Sequence, residues 1–329
     1  MKNREPVVIG IHGLGNKPSK DQLTKWWKLA VIEGMLKYSS RIPLFNFEMA
    51  YWADYIYPRP LSLQIQDPTS ALFLGEPYLP GNPEIIKPEG YFGNEIVDFL
   101  RKKIDEIILS DEFLKSAPSI AEKIIHKFFL EIEIYFSSES IYKVKFAAKE
   151  VIRTRLADLL YKNRNKRILL VAHSMGSLIA YDVLSLVAKD VEIDTLITIG
   201  SPLGIPYIVS KMKQERVSEN GKELKMLTPE NIKNGWFNFS DSDDKISTHF
   251  KLSDIFLPNS RNVMPADKIV VNNYTNGKQE NPHKSYGYLR CSEFSDIAAK
   301  FLSEGKSAGR LWAESRISKL FYKTNMLMK

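Results

Sequence analysis

The chain has 329 residues, 44% of them hydrophobic and 26% charged. These are the proportions of a globular protein with a large core, and they exclude a disordered or fibrous chain. Its 46 Lys and Arg against 39 Asp and Glu leave a formal charge of +7, a basic excess too modest to demand a nucleic-acid partner, and none is expected. A single cysteine, Cys291, excludes an intramolecular disulfide and a cysteine-based zinc cage.

The opening residues Met1 to Pro6 run directly into Val7-Val8-Ile9-Gly10-Ile11, which is too short and too early for the apolar region of a signal peptide. No apolar stretch approaches the roughly 20 residues of a spanning helix. The expectation is a soluble, cytoplasmic protein.

Val7 to Ile11 is an unbroken apolar run that empties into His12-Gly13-Leu14-Gly15, the pattern of a strand buried on both faces and followed by a glycine-rich turn. Helical spacing of Leu23, Trp26, Trp27, Ala30, Val31, Gly34 and Met35 predicts a helix from about Lys20 to Tyr38, and Pro43 to Tyr51 is a second strand candidate. Prolines at 58, 60, 68, 77, 80, 83 and 88 then deny helix interiors and central strands, so this stretch is an irregular excursion. Three helical patterns follow, at Asn94 to Leu109, Ser119 to Phe136 and Glu139 to Tyr161. The middle one has a stripe that includes Ile120, Ile124, Phe128 and Ile132 and reads either as core or as a lid or membrane-facing surface.

Ile168 to Ala172 is another buried-strand run, followed without a gap by His173-Ser174-Met175-Gly176 and an amphipathic helix beginning at Ser177. Further strands are predicted at Leu196 to Ile199, Gly235 to Phe239 and Asp267 to Asn273, with a closing helix at Ser292 to Leu302. Strands alternating with helices predict an α/β fold with a mostly parallel sheet.

Ala172-His173-Ser174-Met175-Gly176 carries the chemistry. A serine on a sharp strand-to-helix bend is thrust above the sheet, and the bend crowds the residues two before and two after it, so both must be small. Gly176 meets this requirement, and Ala172 departs from the usual glycine by one methyl. The helix start offers the free Met175 amide to a developing oxyanion, and the turn after the first strand can aim the Leu14 amide at the same space. Gly13 and Gly15 let that backbone approach closely, and His12 would brace the loop. Neither Gly-x-Gly-x-x-Gly nor Gly-Lys-Ser/Thr accompanies it, so no phosphate cradle or cofactor is expected.

A serine nucleophile needs a histidine base oriented by a carboxylate. Of five histidines, His12 belongs to the loop, His173 is expected to point to the other side of the bend, His126 falls in the helical excursion, and His249 follows the best acid too closely. His283 remains, after the last strand and at the carboxyl edge of the sheet, where ligand chemistry is found in such folds. Asp194 precedes its strand at the wrong edge. The turn Ser240 to Ile246 supplies Asp244 as the acid, with Asp241 as the alternative. The acidic cluster lacks the spacing of a calcium loop, so no metal site is expected.

The order Ser174, Asp244, His283 is that of α/β-hydrolase triads. The chain resembles that superfamily, and within it the serine esterase and lipase-like branch, on the motifs Val8 to Gly15, Val171 to Ser177, Thr198 to Pro202 and Trp236 to Phe239 followed by Asp244. The resemblance covers roughly residues 5 to 52 and 165 to 304. It implies an α/β-hydrolase fold over 1–329 with helices on both faces of the sheet. It also implies cleavage of a small-molecule carboxylic ester through an acyl-enzyme, acyl lipids being a frequent substrate of that branch. An acyltransferase or thioesterase would share these residues, and a non-catalytic membrane-associated module on the same scaffold is the reading from another class.

The interval between His12 and Ser174 far exceeds two or three βα units of about 30 residues each. A largely helical insertion over about 54–145 is therefore expected, either a cap or lid over the substrate pocket or structural padding. The tail, 305–329, combines Lys306, Arg310, Arg316, Lys319, Lys323 and Lys329 with Leu311, Trp312, Ile317, Leu320 and Phe321 near helical spacing. Such a helix reads as a solvated face over a core contact or as a peripheral membrane contact. Oligomeric state is not legible.

Overall fold

The computed structural model describes residues 4–81, 132, 135–136, 148–214, 225–247, 249–277 and 279–327. The expected helix Asn94 to Leu109, most of Ser119 to Phe136, the start of the Glu139 to Tyr161 helix, and His126 lie outside the described residues.

Among the described residues one sheet holds six strands, all parallel, in the order β2-β1-β3-β4-β6-β8. Its strands are β1 (Pro6–Ile11), β2 (Asn46–Ala50), β3 (Arg167–His173), β4 (Ile193–Ile199), β6 (Ile232–Ser240) and β8 (Pro265–Ile269); β5 (Met226–Leu227) and β7 (Phe256–Leu257) form a separate two-stranded ladder. Helices α1 (Lys20–Tyr38), α2 (Ala53–Ile56), α3 (Ala148–Lys162), α4 (Met175–Asp182), α5 (Pro206–Gln214), α6 (Ser285–Leu289), α7 (Ser292–Ser303) and α8 (Ala308–Leu327) connect and cover them.

The central strands are apolar on both faces because both faces are covered. Val7, Ile9 and Ile11 of β1 and Ile168, Leu170 and Ala172 of β3 share one core with α3, α4 and α5. Val8, Leu169 and Val171 point the other way, into a core built from α1, α6 and α7. Alternate residues of one strand thus serve two cores, and every one named here is fully buried.

The strand order places β2 to one side of β1 and β3 to the other. The chain leaves β1 toward one side of the sheet and leaves β3 toward the opposite side, which opens a crevice between their carboxyl ends. Open α/β sheets bind ligands at such a switch point. The register Ile11↔Ala172 sets the two strand ends level, so His12-Gly13-Leu14 and His173-Ser174 emerge beside each other.

The expected strand Asp267 to Asn273 is corrected to Pro265–Ile269. Beyond Ile269 the chain turns to satisfy side chains around Asp241 rather than a strand neighbour, the Asn272 N–H donating to Asp241 Oδ2 at 2.6 Å. Within the 54–145 segment, residues 57–81 are irregular after α2, and the described residues 132 and 135–136 are helical. The tail is helical over Ala308–Leu327.

Candidate active site

Ser174 sits between β3 and α4 with φ 53° and ψ −127°, a conformation that costs a non-glycine residue about 1–3 kcal/mol and persists only where neighbours over-determine it. They do so here. The Ser174 N–H donates to the Ile199 carbonyl at 3.0 Å, and the Ser174 carbonyl accepts from the Ser177 N–H at 2.8 Å and the Ser177 hydroxyl at 2.6 Å. The small residues around the bend have a direct cause. A Cβ on Gly176 would lie 2.6 Å from the Ile11 carbonyl oxygen, and one on Gly13 would lie 2.7 Å from Ser174 Cβ. The turn after β1 and the start of α4 therefore interlock through two missing side chains.

Ser174, Asp244 and His283 come together. His283 Nε2 lies 3.0 Å from Ser174 Oγ, and His283 Nδ1 lies 2.9 Å from both carboxylate oxygens of Asp244. Asp244 is buried and also accepts from the Tyr288 hydroxyl at 2.6 Å and the Ile246 N–H at 3.0 Å. Burial alone would raise its pKa, but the attraction of His283 and these donors outweighs it and holds the carboxyl below its ordinary range. An acid that stays ionised while pinned by three donors keeps the imidazole in one orientation.

Asp241, the alternative acid, is elsewhere employed. Its Oδ1 accepts from the Asp243 N–H at 2.8 Å and its Oδ2 from the Asn272 N–H. It ties the loop after β8 to the turn after β6, and Asp244 rather than Asp241 reaches His283.

His12 braces the loop that carries Leu14. Its Nδ1–H donates to the Gly13 carbonyl at 2.8 Å, its Nε2 accepts from the Trp52 N–H at 3.1 Å, and the Trp52 indole N–H returns to the His12 carbonyl at 3.0 Å. The rings stack with centroids 4.9 Å apart. Burial and the nearby Lys17 push the His12 pKa down to about 3, against the pull of the Gly13 carbonyl. The ring is thus neutral, as its acceptor role toward Trp52 requires. Lys17 reaches back along the same turn, its ammonium donating to the carbonyls of Leu14 and Gly15. Gly15 takes φ 81°. Among the described residues neither the Leu14 nor the Met175 backbone N–H has an acceptor.

The base is held by residues that sequence reasoning missed. His173 does not simply turn away from the site: its Nε2–H donates to the backbone carbonyl of His283 at 2.7 Å. Burial, reinforced by the adjacent His283, holds the His173 pKa well below its ordinary range, so this donor stays neutral. The Asn272 side-chain amide donates to the carbonyls on either side, of Pro282 at 2.7 Å and Lys284 at 2.8 Å. Three consecutive carbonyls around the imidazole are thereby fixed. Tyr288 was equally invisible, since a tyrosine five residues after a histidine carries no signature. Gly200 is also part of the site: a Cβ there would fall 2.9 Å from Asp244 Oδ2.

Ser174 and His283 open into a cavity of about 440 Å³. Leu14, Leu23, Trp27, Leu61, Leu74 and Ile246 supply its apolar walls, so the described start of the 54–145 segment contributes through Leu61 and Leu74. Lys17, Glu76 and Lys284 stand at its polar side, with Lys284 paired to Glu76 at 2.8 Å. Among the described residues no cluster of three His, Cys, Asp or Glu side chains is disposed to hold a metal.

A hydroxyl linked through imidazole to a buried carboxylate can be deprotonated as it attacks an electrophilic carbon. Comparison with known proteins agrees with that scaffold. Residues 148–281 match the family described as PGAP1-like alpha/beta domain, a span that holds Ser174 and Asp244 and stops two residues short of His283. No curated protein matches the chain. On the six parallel strands, the elbow between β3 and α4 and this match, the chain has an α/β-hydrolase fold, and its residues 148–281 are similar to a PGAP1-like alpha/beta domain.

Proposed function

We propose that this protein is a serine hydrolase that cleaves carboxylic esters of small molecules, acyl lipids among them. The observation that carries the reading is the unbroken hydrogen-bond chain from Asp244 through His283 to Ser174 at the floor of a cavity with apolar walls. His283 Nε2 takes the Ser174 proton as Oγ adds to the ester carbonyl carbon. The Leu14 and Met175 amides donate to the resulting oxyanion, and each such donor is worth about 3 to 4 kcal/mol in the transition state. Collapse of the tetrahedral intermediate breaks the bond to the alcohol oxygen, which leaves with the proton from His283. Water then adds to the acyl-enzyme, giving its proton to His283, and the carboxylic acid departs as Ser174 recovers its hydrogen. Asp244 stays ionised and fixes the imidazole throughout.

The apolar walls suit an acyl chain, and Leu61 and Leu74 support a cap role for the segment that begins near residue 54. The one cysteine, Cys291, is buried and its thiol is pushed up by burial, so it does not compete with Ser174 as a nucleophile. No helix among the described residues is long and apolar enough to cross a membrane. The reading is tested with p-nitrophenyl esters from acetate to palmitate. Turnover with an initial burst equal to the enzyme present, absent in Ser174→Ala, is expected; equal rates for wild type and Ser174→Ala across the whole series would refute it.

A further inference from the structure

Helix α8 lies along α1 with a strict division of faces. Positions 311, 314, 315, 318, 321, 322, 325 and 326 are buried or half-buried, while 310, 312, 313, 316, 317, 319, 320, 323, 324 and 327 are exposed, the alternation of threes and fours that a docked helix requires. The inner face is well anchored. Ser315 Oγ accepts from the Ile42 N–H at 2.8 Å, Glu314 accepts from the Leu44 N–H at 3.0 Å, and Phe321, Tyr322 and Met326 pack against the core under α1.

The outer face is unlike a solvated one. Trp312, Ile317, Leu320 and Leu327 are 64%, 53%, 65% and 86% exposed. Between them stand Arg316, Lys319 and Lys323, which form no ion pair among the described residues, Arg316 lying over the Trp312 ring at 4.9 Å. The helix has one acid, Glu314, and that residue is turned inward and neutralised by Lys306 at 2.8 Å and Arg310 at 2.7 Å. The exposed face is therefore apolar and cationic with no negative charge.

We infer that the outer face of α8 docks on an anionic phospholipid bilayer, Trp312, Ile317, Leu320 and Leu327 entering the boundary between headgroups and acyl chains while Arg316, Lys319 and Lys323 meet the phosphates. Indole and aliphatic side chains flanked by cations are the composition that lies in a membrane interface. A second copy of this chain fits poorly, since an isologous contact would bring two sets of like charges together. A nucleic acid would leave the four apolar side chains unused. The docked helix reaches the cavity wall through one intervening residue: the Tyr322 hydroxyl meets that of Tyr78 at 3.5 Å, and Tyr78 packs on Tyr286, which lines the cavity. The inference goes beyond ester hydrolysis and stands without it.

The full chain is mixed with vesicles of phosphatidylcholine alone or of phosphatidylcholine with phosphatidylserine, and binding is read by flotation and by tryptophan emission. Trp26, Trp27, Trp52 and Trp236 are buried, at 2%, 1%, 1% and 1% exposure, so a blue shift reports Trp312. Binding to the anionic vesicles, weakened by salt and retained in Ser174→Ala, is expected. Each cation contributes about fivefold in partitioning, so Arg316→Gln, Lys319→Gln and Lys323→Gln together lower it about 100-fold, and Leu320→Asp abolishes the blue shift. These substitutions are at exposed positions, and an unchanged melting curve verifies the fold. Equal binding to neutral vesicles, undiminished binding of the triple variant, or self-association lost in Leu320→Asp without vesicle binding would overturn the inference.

Discussion

His12 is a buried titratable group whose chemistry can be read from its partners, and replacing it with glutamine gives a quantitative test. In the folded protein its pKa is pushed down to about 3 from an ordinary 6.5, by burial first and by Lys17 second. A proton on Nε2 would also collide with the Trp52 N–H that this nitrogen accepts. The unfolded chain recovers the ordinary value, so below it the unfolded state binds the extra proton. The stabilisation is fully present above about pH 6.5 and is lost progressively as pH falls toward the folded value. Integrated from about pH 7 to about pH 5, this single histidine removes about 2 kcal/mol. His173 shifts in the same direction and adds to the wild-type slope. His12→Gln loses hydrogen bonds at every pH, a constant cost of about 1–3 kcal/mol, but it removes one titration. Urea unfolding midpoints over this range should therefore show the variant's deficit narrowing by about 2 kcal/mol on acidification. A deficit that stays constant with pH would refute the neutral, acceptor role of His12.

Other expectations follow from the same contacts. Asp244→Asn should lower kcat by about 10⁴-fold through loss of the imidazole's orientation, whereas Asp241→Asn should keep kcat within about tenfold and cost about 1–3 kcal/mol in unfolding experiments, because one of its two N–H acceptors is replaced by a donor. Tyr288→Phe, which removes a charge-assisted hydrogen bond from Asp244, should reduce kcat by about tenfold or more with KM little changed; an unaltered kcat would contradict the role given to Tyr288. Asn272→Ala frees the carbonyls of Pro282 and Lys284, and should lower kcat more than KM and destabilise by about 2 kcal/mol. Gly176→Ala places a methyl against the Ile11 carbonyl and should yield little folded protein, a result checked by soluble yield and circular dichroism.

The parts of the sheet that lie at its centre were legible because burial on both faces leaves apolar runs, as in Val7 to Ile11 and Ile168 to Ala172. Helix α1 matched its periodicity, Lys20–Tyr38. Legibility failed where side chains rather than pattern decide the path. Asp267 to Asn273 read as one strand, yet Asn272 leaves the sheet to clamp the His283 loop. The geometry around Ser174 was legible in its local half, since a bend needing small neighbours writes itself into consecutive residues such as Gly176. The long-range half was not: the His173 contact with the His283 carbonyl spans 110 positions, and the Tyr288 contact with Asp244 spans 44. Asp241 and Asp244 are three residues apart in one turn and chemically identical in sequence. Only the direction each side chain takes separates a carboxylate beside His283 from one that fastens a loop.

The most direct test of the central claim is covalent. Treated with an alkyl fluorophosphonate, an electrophile that captures an activated serine hydroxyl, the native protein should gain one phosphonyl group in place of the serine proton as fluoride leaves the reagent, and peptide mass spectrometry should locate it on Ser174. Labelling should disappear in Ser174→Ala and fall sharply in His283→Ala with the fold intact. A folded wild-type protein that takes up no label, or takes it up at another residue, would contradict the account.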